Sequence, residues 1–414
     1  VIPDFHPPIE GEEAKSDSHM VGGSMDRNTE IKFYFIVALS LYFLAISMVI
    51  TGAVLPKWMD LFEISAGRAG RLFFLYYLTY VIITFSSGFL CDLFGKKPIL
   101  LLSQIFLGVG FFCISSADSF PAIELGMLIM GLGGGFCEAP MTGLISQVFN
   151  GREGFALNMS QIFFGIGAAS GPFLTGYFLG IGFNWRILYV IPGIVSLYIL
   201  FLLFSEKKLF ENEKKGMNKG GTLVLFNHWK IFLAISCLAM LLYVGAEIAS
   251  SSWMSTYIVK GLSGNLYLGG LAMAGFWGMI TIGRIVFAYL SHLYHYGTLL
   301  RISAVISLGF LLFLLFSHQI VLAIIAFMGI GFGFSGIWPL VVAVVARNIE
   351  DMQAPAIGVV VAFGGTGALL FPWLFGILSD YMGFRFIFIM VILLVTAMLF
   401  VFQSRFFKDT AKEF

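Results

Sequence analysis

FFGIGAASGPFLTGYF at residues 163–178 lies over FGGTGALLFPWLFGIL at residues 363–378 when the chain is displaced by 200 residues. Gly165 then meets Gly365, Gly167 meets Gly367, Ala168 meets Ala368, Pro172 meets Pro372 and Gly176 meets Gly376. Neither stretch contains Asp, Glu, Lys or Arg, so each is an apolar segment punctuated by small residues and one proline. Other stretches repeat in the same order. GLGGGF (131–136) matches GIGFGF (329–334) at a displacement of 198, FLCD (89–92) matches YLSH (289–292) at 200, and Arg186 answers Arg385. Several matches in one order make chance a poor explanation, and they predict a chain of two related halves.

The solvent for those halves follows from composition. Of 414 residues, 59% are hydrophobic and only 11% charged, whereas a soluble domain is about a quarter charged because its surface faces water. Lipid is the solvent that such a chain requires. A formal net charge of +1 supplies no basic stripe for nucleic acid. Cys91, Cys113, Cys137 and Cys237 all lie in apolar stretches without a CxxC pair, which predicts small buried hydrophobes and no metal centre. Residues 1–24 are polar, end in SHMVGGS before Met25, and read as a disordered expression tag or linker.

A membrane helix needs about 20 mostly apolar residues. Charge-free stretches predict twelve, at roughly 32–56, 67–91, 98–117, 120–149, 153–180, 185–205, 229–259, 266–291, 298–316, 319–347, 353–378 and 383–404. Residues 25–205 form an N-terminal six-helix half, 206–228 a charged linker, 229–405 a C-terminal half and 406–414 a tail. Lys and Arg accumulate on cytoplasmic connections. One side receives Arg27, Lys32, Lys96, Lys97, Arg152, the linker lysines, Arg301, Arg347 and the tail, well over twice as many as the other. Both termini and the linker are therefore expected in the cytoplasm, with the protein in the plasma (cytoplasmic) membrane. Trp58, Trp185 and Trp229 stand near span ends and read as interface anchors.

The expected architecture is an all-α membrane protein with a pseudo-twofold axis along the membrane normal and a central cavity between rocking halves. Alternating access suits it better than a pore or an enzyme, since no nucleophile–base pair, metal cluster or phosphate loop stands out. No cofactor is expected. Membrane lipid, protons and a small-molecule substrate are the expected partners, and the chain is expected to be a monomer.

Between the second and third spans, GFLCDLFGKKP (88–98) resembles the loop signature of the major facilitator superfamily. Gly88, Asp92, Gly95, Lys96 and Lys97 match, while Leu93 stands where the family carries a basic residue. The resemblance implies the twelve-helix major facilitator fold, with Asp92 pairing with a basic residue or helix end to close the cytoplasmic face. Arg152 and Arg284 are grouped with these as cytoplasmic-gate residues. GIGAASGPFLTG (165–176) also resembles the helix-5 signature of drug:proton antiporters. GLGGGFCEAP (131–140), ALNMSQIFFGIGA (156–168), YVGAEIASSSWMSTYI (243–258) and FWGMITIGR (276–284) are similar to helices 4, 5, 7 and 8 of the fucose/galactose/glucose:proton symporter branch. Helix 1 departs from it, carrying no acid between Lys32 and Asp60.

Ionisable groups deep in lipid cost about 2.5–3.5 kcal/mol on insertion scales, so they mark function. Three lie well inside spans: Glu138, Glu247 and Arg284. Glu138 and Glu247 are the expected proton-coupling acids. Asn158, Gln161, Tyr243, Glu247, Trp253, Trp277 and Trp338 supply the hydrogen-bonding groups and aromatic faces that a sugar site combines. The resulting expectation is proton-coupled uptake of a sugar or similar polar solute; the alternative is a drug, lipid or organic-anion transporter.

Overall fold

A computed structural model describes residues 27–148, 153–206, 229–349 and 353–408. Residues 1–24, most of the 206–228 linker, Arg152 and the tail after Lys408 lie outside them. Twelve helices among the described residues are long and apolar enough to cross a membrane. They are α1 (Arg27–Leu61), α2 (Ala66–Phe94), α3 (Lys96–Ser115), α4 (Phe120–Val148), α5 (Glu153–Gly180) and α6 (Ile187–Ser205). The second set is α7 (Lys230–Gly261), α8 (Leu266–Leu290), α9 (Tyr296–Phe316), α10 (Ile320–Asn348), α11 (Gln353–Met382) and α12 (Arg385–Phe402). Helices dominate because lipid offers no partner to backbone N–H and C=O groups.

The duplication extends to the helix ends. Ser65 caps α2 by accepting from Arg68 N, and Asn265, 200 residues later, caps α8 by accepting from Leu268 N. The turns before them hold Glu63 and Ser263, both with positive φ. Two spans depart from the sequence expectation. α10 divides into Ile320–Phe334 and Ile337–Asn348, because Pro339 has no N–H to donate to the Ser335 carbonyl one turn back. α1 continues through Pro56 to Leu61, which draws Trp58 inside the bundle. Trp58 is fully buried and stacks on Tyr189, with Trp185 edge-on to it. Trp58 and Trp185 are therefore core residues, not interface anchors; Trp229 is partly exposed.

Within the first half α1 packs on α5 and α6, α4 on α2 and α3, and α3 on α6. Within the second half α7 packs on α11 and α12, α10 on α8 and α9, and α9 on α12. The two lists are one list repeated. Glycines set the closest crossings. A β-carbon at Gly131 would strike the Tyr76 carbonyl, and one at Gly331 the Phe276 carbonyl. Gly133 abuts Ser103 and Leu107, as Gly333 abuts Ser307. These contacts pair Gly131 with Gly331 at a displacement of 200, correcting the 198 read from the glycine-rich motifs. What the duplication preserves is the glycine facing a neighbour's carbonyl, not the look of the run.

The halves meet through α2 with α11, α5 with α8, and α1 with α7. Gly70 lies against the Pro372 carbonyl and Gly270 against that of Pro172. Gly376 meets the Ala66 carbonyl and Gly176 that of Leu266. These contacts sit at the face opposite the chain ends, called the far face below. They run inward to Val81 against Gly365 and Thr281 against Gly165. Toward the near face the helices part, and a β-carbon at Gly88 on α2 or Gly358 on α11 would meet nothing within 4 Å. The bundle is closed at the far face and open at the near one.

Forcing a leucine into Gly131 or Gly331 should destabilise the fold by about 1–3 kcal/mol through overpacking, read as a lower melting temperature in detergent. Gly309→Ala, where nothing lies within 4 Å, should leave it unchanged or slightly raised. Equal melting temperatures for all three variants would contradict this account of the crossings.

Candidate functional site

Two carboxyl groups stand at the centre, one in each half, and each is held by a tyrosine. In the first half, Tyr76, Tyr77 and Tyr80 share one region of α2 because their spacing spans one helical turn. The Tyr80 hydroxyl donates to Oε2 of Glu138 on α4. Tyr80 stacks on Tyr76 at a centroid separation of 6.0 Å. Ser47 Oγ donates to the Leu44 carbonyl at 2.7 Å, so the Tyr76 hydroxyl, 3.1 Å away, donates to Ser47. The outcome is two polar contacts, one between α1 and α2 and one between α2 and α4, joined by the stacked rings.

In the second half, the Tyr243 hydroxyl donates to Oε1 of Glu247 at 2.7 Å along α7. One turn on, Ser251 Oγ accepts from Trp277 Nε1 of α8 at 2.9 Å. Tyr243 meets Phe334 edge-on, and Phe276 meets Trp277 in the same way. Tyr77 is buried and meets Tyr76 and Tyr80 edge-on. Arg284 is half-buried on α8. Among the described residues, none of Glu138, Glu247 and Arg284 forms an ion pair.

The expected binding set divides. Tyr243, Glu247 and Trp277 come together. Trp253 is fully buried, and its indole N–H is occupied by the Pro372 carbonyl at 2.8 Å, so it braces α7 against α11. Trp338 on α10 and Gln161 on α5 are exposed and join neither cluster. The side chain of Asn158 lies outside the described residues. Tyr76, Tyr77, Tyr80 and Ser47 were missed by the sequence reading. Their signal was present: LYYLTYV (75–81) sets three phenols in an apolar span, and Tyr77 overlies Trp277 at the 200-residue displacement.

The loop-signature lysines bond to carbonyls of their own half. Gly95 turns the chain with φ of 87°. Lys96 Nζ donates to the Gly143 carbonyl at 3.2 Å, while Lys97 Nζ caps the end of α6 at Phe204 O (3.3 Å) and Glu206 O (3.0 Å). Asp92 is exposed and has no hydrogen-bond or ion-pair partner among the described residues. A separate groove of about 280 Å³ opens between the near-face portions of α7 and α11. Lys230, Leu233, Cys237, Leu241, Val359 and Phe363 line it, and apart from Lys230 it is apolar.

Comparison with known proteins agrees with this layout. The sequence model of the Major Facilitator Superfamily matches residues 35–351. A protein TsgA homolog from Buchnera aphidicola subsp. Schizaphis graminum is 22% identical, over 84% of this chain and 88% of the relative. Quinolone resistance protein NorA of Staphylococcus aureus is 25% identical, over 82% and 87%. Among solved structures, a bacterial homolog of the human lysosomal transporter Spinster, inward-facing and unoccupied, superposes with a TM-score of 0.79 at 13% identity. That superposition covers 93% of this chain and 99% of the other.

Tyr243→Phe leaves a buried carboxyl without its donor. The loss should cost about 1–3 kcal/mol, seen as a lower melting temperature than that of Trp338→Phe, whose ring is exposed. A Tyr243→Phe protein as stable as the parent would show that the Glu247 bond carries no structural weight.

Proposed function

This chain belongs to the Major Facilitator Superfamily; it is a multi-pass membrane secondary transporter and not an enzyme, and from that premise we propose that it couples proton movement to uptake of a sugar or similar polar solute. The observation that carries this reading is the pair of carboxyl–phenol contacts, Tyr80 with Glu138 and Tyr243 with Glu247, one in each half. An ionised acid in a water-poor site is costly unless paired, and neither Glu138 nor Glu247 has an ion partner among the described residues. Closing the cavity around Glu138 therefore favours its neutral form, and opening to water allows the proton to leave. Tyr80 orients the carboxyl throughout, since α2 and α4 move as one half.

Solute binding draws on the other half. A hydroxyl-rich solute can replace the Tyr243 hydroxyl at Glu247 and add contacts to Ser251, while the Trp277 ring offers an apolar sugar face a flat surface. Such a solute bridges to Tyr77 and so joins the halves, which links its occupancy to rocking. Uphill transport then requires proton and solute to favour the same closed arrangement. The lysine and arginine bias supports a cytoplasmic near face, with the Gly88–Lys97 loop, Arg152 and Arg284 serving the gate there, and a monomer in the plasma membrane suffices for this cycle.

A second reading has its own support. The apolar groove between α7 and α11, with Lys230 at its edge, suits an amphiphile bearing a negative group, and the Gly-Pro pattern of α5 resembles that of drug:proton antiporters.

Glu138→Gln should abolish uphill accumulation of the solute while counterflow of labelled solute persists, because exchange needs rocking but no proton. Proton-driven uptake that survives the substitution would remove Glu138 from the coupling step. The two solute classes separate by thermal stabilisation of the purified protein. Stabilisation by one hexose class, abolished by Trp277→Ala, supports the polar-solute reading; stabilisation by amphiphiles alone, abolished by Leu233→Trp, replaces it with the second.

A further inference from the structure

The groove between α7 and α11 is shut at one end and open at the other. At the closed end Gly364 sits on Met240 and Val244, and Gly367 on the Leu241 carbonyl. From there to the near face the helices part, and Leu233, Ala234, Cys237 and Leu238 of α7 line the slot with Val359 and Phe363 of α11. Lys230 stands at the open end. Eleven residues separate Lys230 from Leu241, a rise of about 16 Å along the helix. That is the depth of one leaflet in a hydrocarbon core about 30 Å thick.

Phe363 fixes which way the slot faces. Three helical turns bring Leu374 onto the same face of α11. Leu374 is exposed, and it lies in the far half of the helix, where α2 and α11 are closed on one another. A side chain exposed there meets lipid. The slot therefore opens to the bilayer and not to the central cavity.

Its charge is equally specific. Lys230 is exposed and has no hydrogen-bond or ion-pair partner among the described residues. The first turns of α7 and α11 contain no acidic residue to neutralise it. Trp229 precedes it, partly exposed, as aromatic residues are at the headgroup level. An unpaired ammonium at the rim of an apolar slot complements a phosphate joined to an acyl chain. A zwitterionic headgroup offers the same phosphate but brings its own cation to the lysine.

The first half replaces both features. At the 200-residue displacement Ala234 corresponds to Tyr34 and Lys230 to Glu30. Tyr34 packs against the core of its own half, adding a ring where alanine leaves space, and a carboxylate reverses the charge at the mouth. The groove is a departure from the duplication and not a by-product of the helix crossing.

We propose that this groove is a binding site for an anionic phospholipid of the near-face leaflet. One acyl chain lies in the slot, and the phosphate meets the Lys230 ammonium. The lipid is resident and not cargo, since it enters sideways from the bilayer and passes neither Glu138 nor Glu247. Both walls belong to the second half, so the site persists as the halves rock. The inference rests on the membrane-spanning fold and not on the identity of the solute. It departs from the second reading of function, in which an amphiphile in this groove is transported.

Native mass spectrometry of the full chain in detergent reads the bound lipid directly. Dioleoyl phosphatidylglycerol and dioleoyl phosphatidylcholine are added in equal amounts. One phosphatidylglycerol should survive collision energies that strip other lipids, preferred over phosphatidylcholine by about fivefold. Ala234→Tyr should abolish that retained lipid, whereas Lys230→Gln should keep one lipid and lose the preference. Inorganic phosphate should displace nothing, having no chain to fill the slot; displacement by it would overturn the role of the chain. Retention by Ala234→Tyr equal to that of the parent would overturn the site. Equal retention of the two lipids by the parent would overturn the charge recognition. If Ala234→Tyr does not fold, Lys230→Gln, altered at an exposed position, decides, and an undiminished preference there defeats the proposal. In liposomes, the protein should leave the movement of fluorescent phosphatidylglycerol between leaflets at its protein-free rate. Faster movement that Ala234→Tyr abolishes would make the lipid cargo and overturn residence. No sugar or proton gradient enters either measurement, so failure here leaves the coupling role of Glu138 untouched, and the reverse also holds.

Discussion

In lipid, helices gain little from burying one apolar side chain rather than another, because the tails outside are as apolar as the bundle inside. Adhesion then depends on how closely backbones approach, and in this protein that is decided by a glycine lying on a neighbour's carbonyl. Gly131 on Tyr76 and Gly331 on Phe276 fix α4 to α2 and α10 to α8. Gly167 on Tyr42 and Gly367 on Leu241 fix α5 to α1 and α11 to α7. The same device is used between halves at Gly70, Gly176, Gly270 and Gly376, beside a few aromatic contacts such as Phe74 on Trp373 and Phe173 on Tyr267. Tight packing within each half and smooth packing between them is the mechanical condition for halves that rock as units.

The polar chemistry is distributed differently from the packing. Displacement by 200 residues lays Glu247 over Ser47, Tyr77 over Trp277, Glu138 over Trp338 and Arg284 over Thr84. Backbone crossings recur in both halves, whereas no embedded charge does. A duplicated scaffold tolerates this because the crossings use main-chain groups and β-carbon positions, leaving cavity-facing side chains unconstrained by them. The cost of a charge in lipid works the other way. Each acid needs a donor, so Glu138 and Glu247 each have a tyrosine, supplied across α2 and α4 in one half and along α7 in the other.

Much of the fold was legible in the sequence because the physics behind it is one-dimensional. Charge-free runs of span length gave twelve helices, and the repeated Gly and Pro positions of 163–178 and 363–378 gave the two halves. What escaped was three-dimensional. The 198-residue match of the glycine-rich runs followed letter similarity, and only the facing carbonyls show that Gly131 answers Gly331. Trp58 read as an interface anchor because the charge-free run stops at Lys57. Within the site, ionisable residues announced themselves through their rarity. Tyrosines did not, since one aromatic residue in six makes any single phenol unremarkable by composition. Trp253 illustrates the reverse error: its motif context suggested a sugar platform, but its N–H is occupied by the Pro372 carbonyl of α11.

That last contact shows how the centre and the far face communicate. Trp253 of α7 donates to the Pro372 carbonyl of α11, and the Trp253 ring edge meets Phe73 of α2 across the boundary between halves. The same carbonyl lies against Gly70, one turn along α2 from Ala66 and Gly67, whose amides donate to Asp380 of α11. α7 also carries Glu247, less than two turns before Trp253. A solute that shifts Glu247 therefore acts on a helix braced directly against the closed crossing. The counterpart of Trp253 in the first half is Ala53, so the brace, like the aspartate, exists on the α2–α11 arm alone. The α5–α8 arm of the far face adds only aromatic edges, Tyr267 against Phe173 and Tyr177, to its glycine crossing, whereas the α2–α11 arm is tied through Trp253 to the helix that carries Glu247.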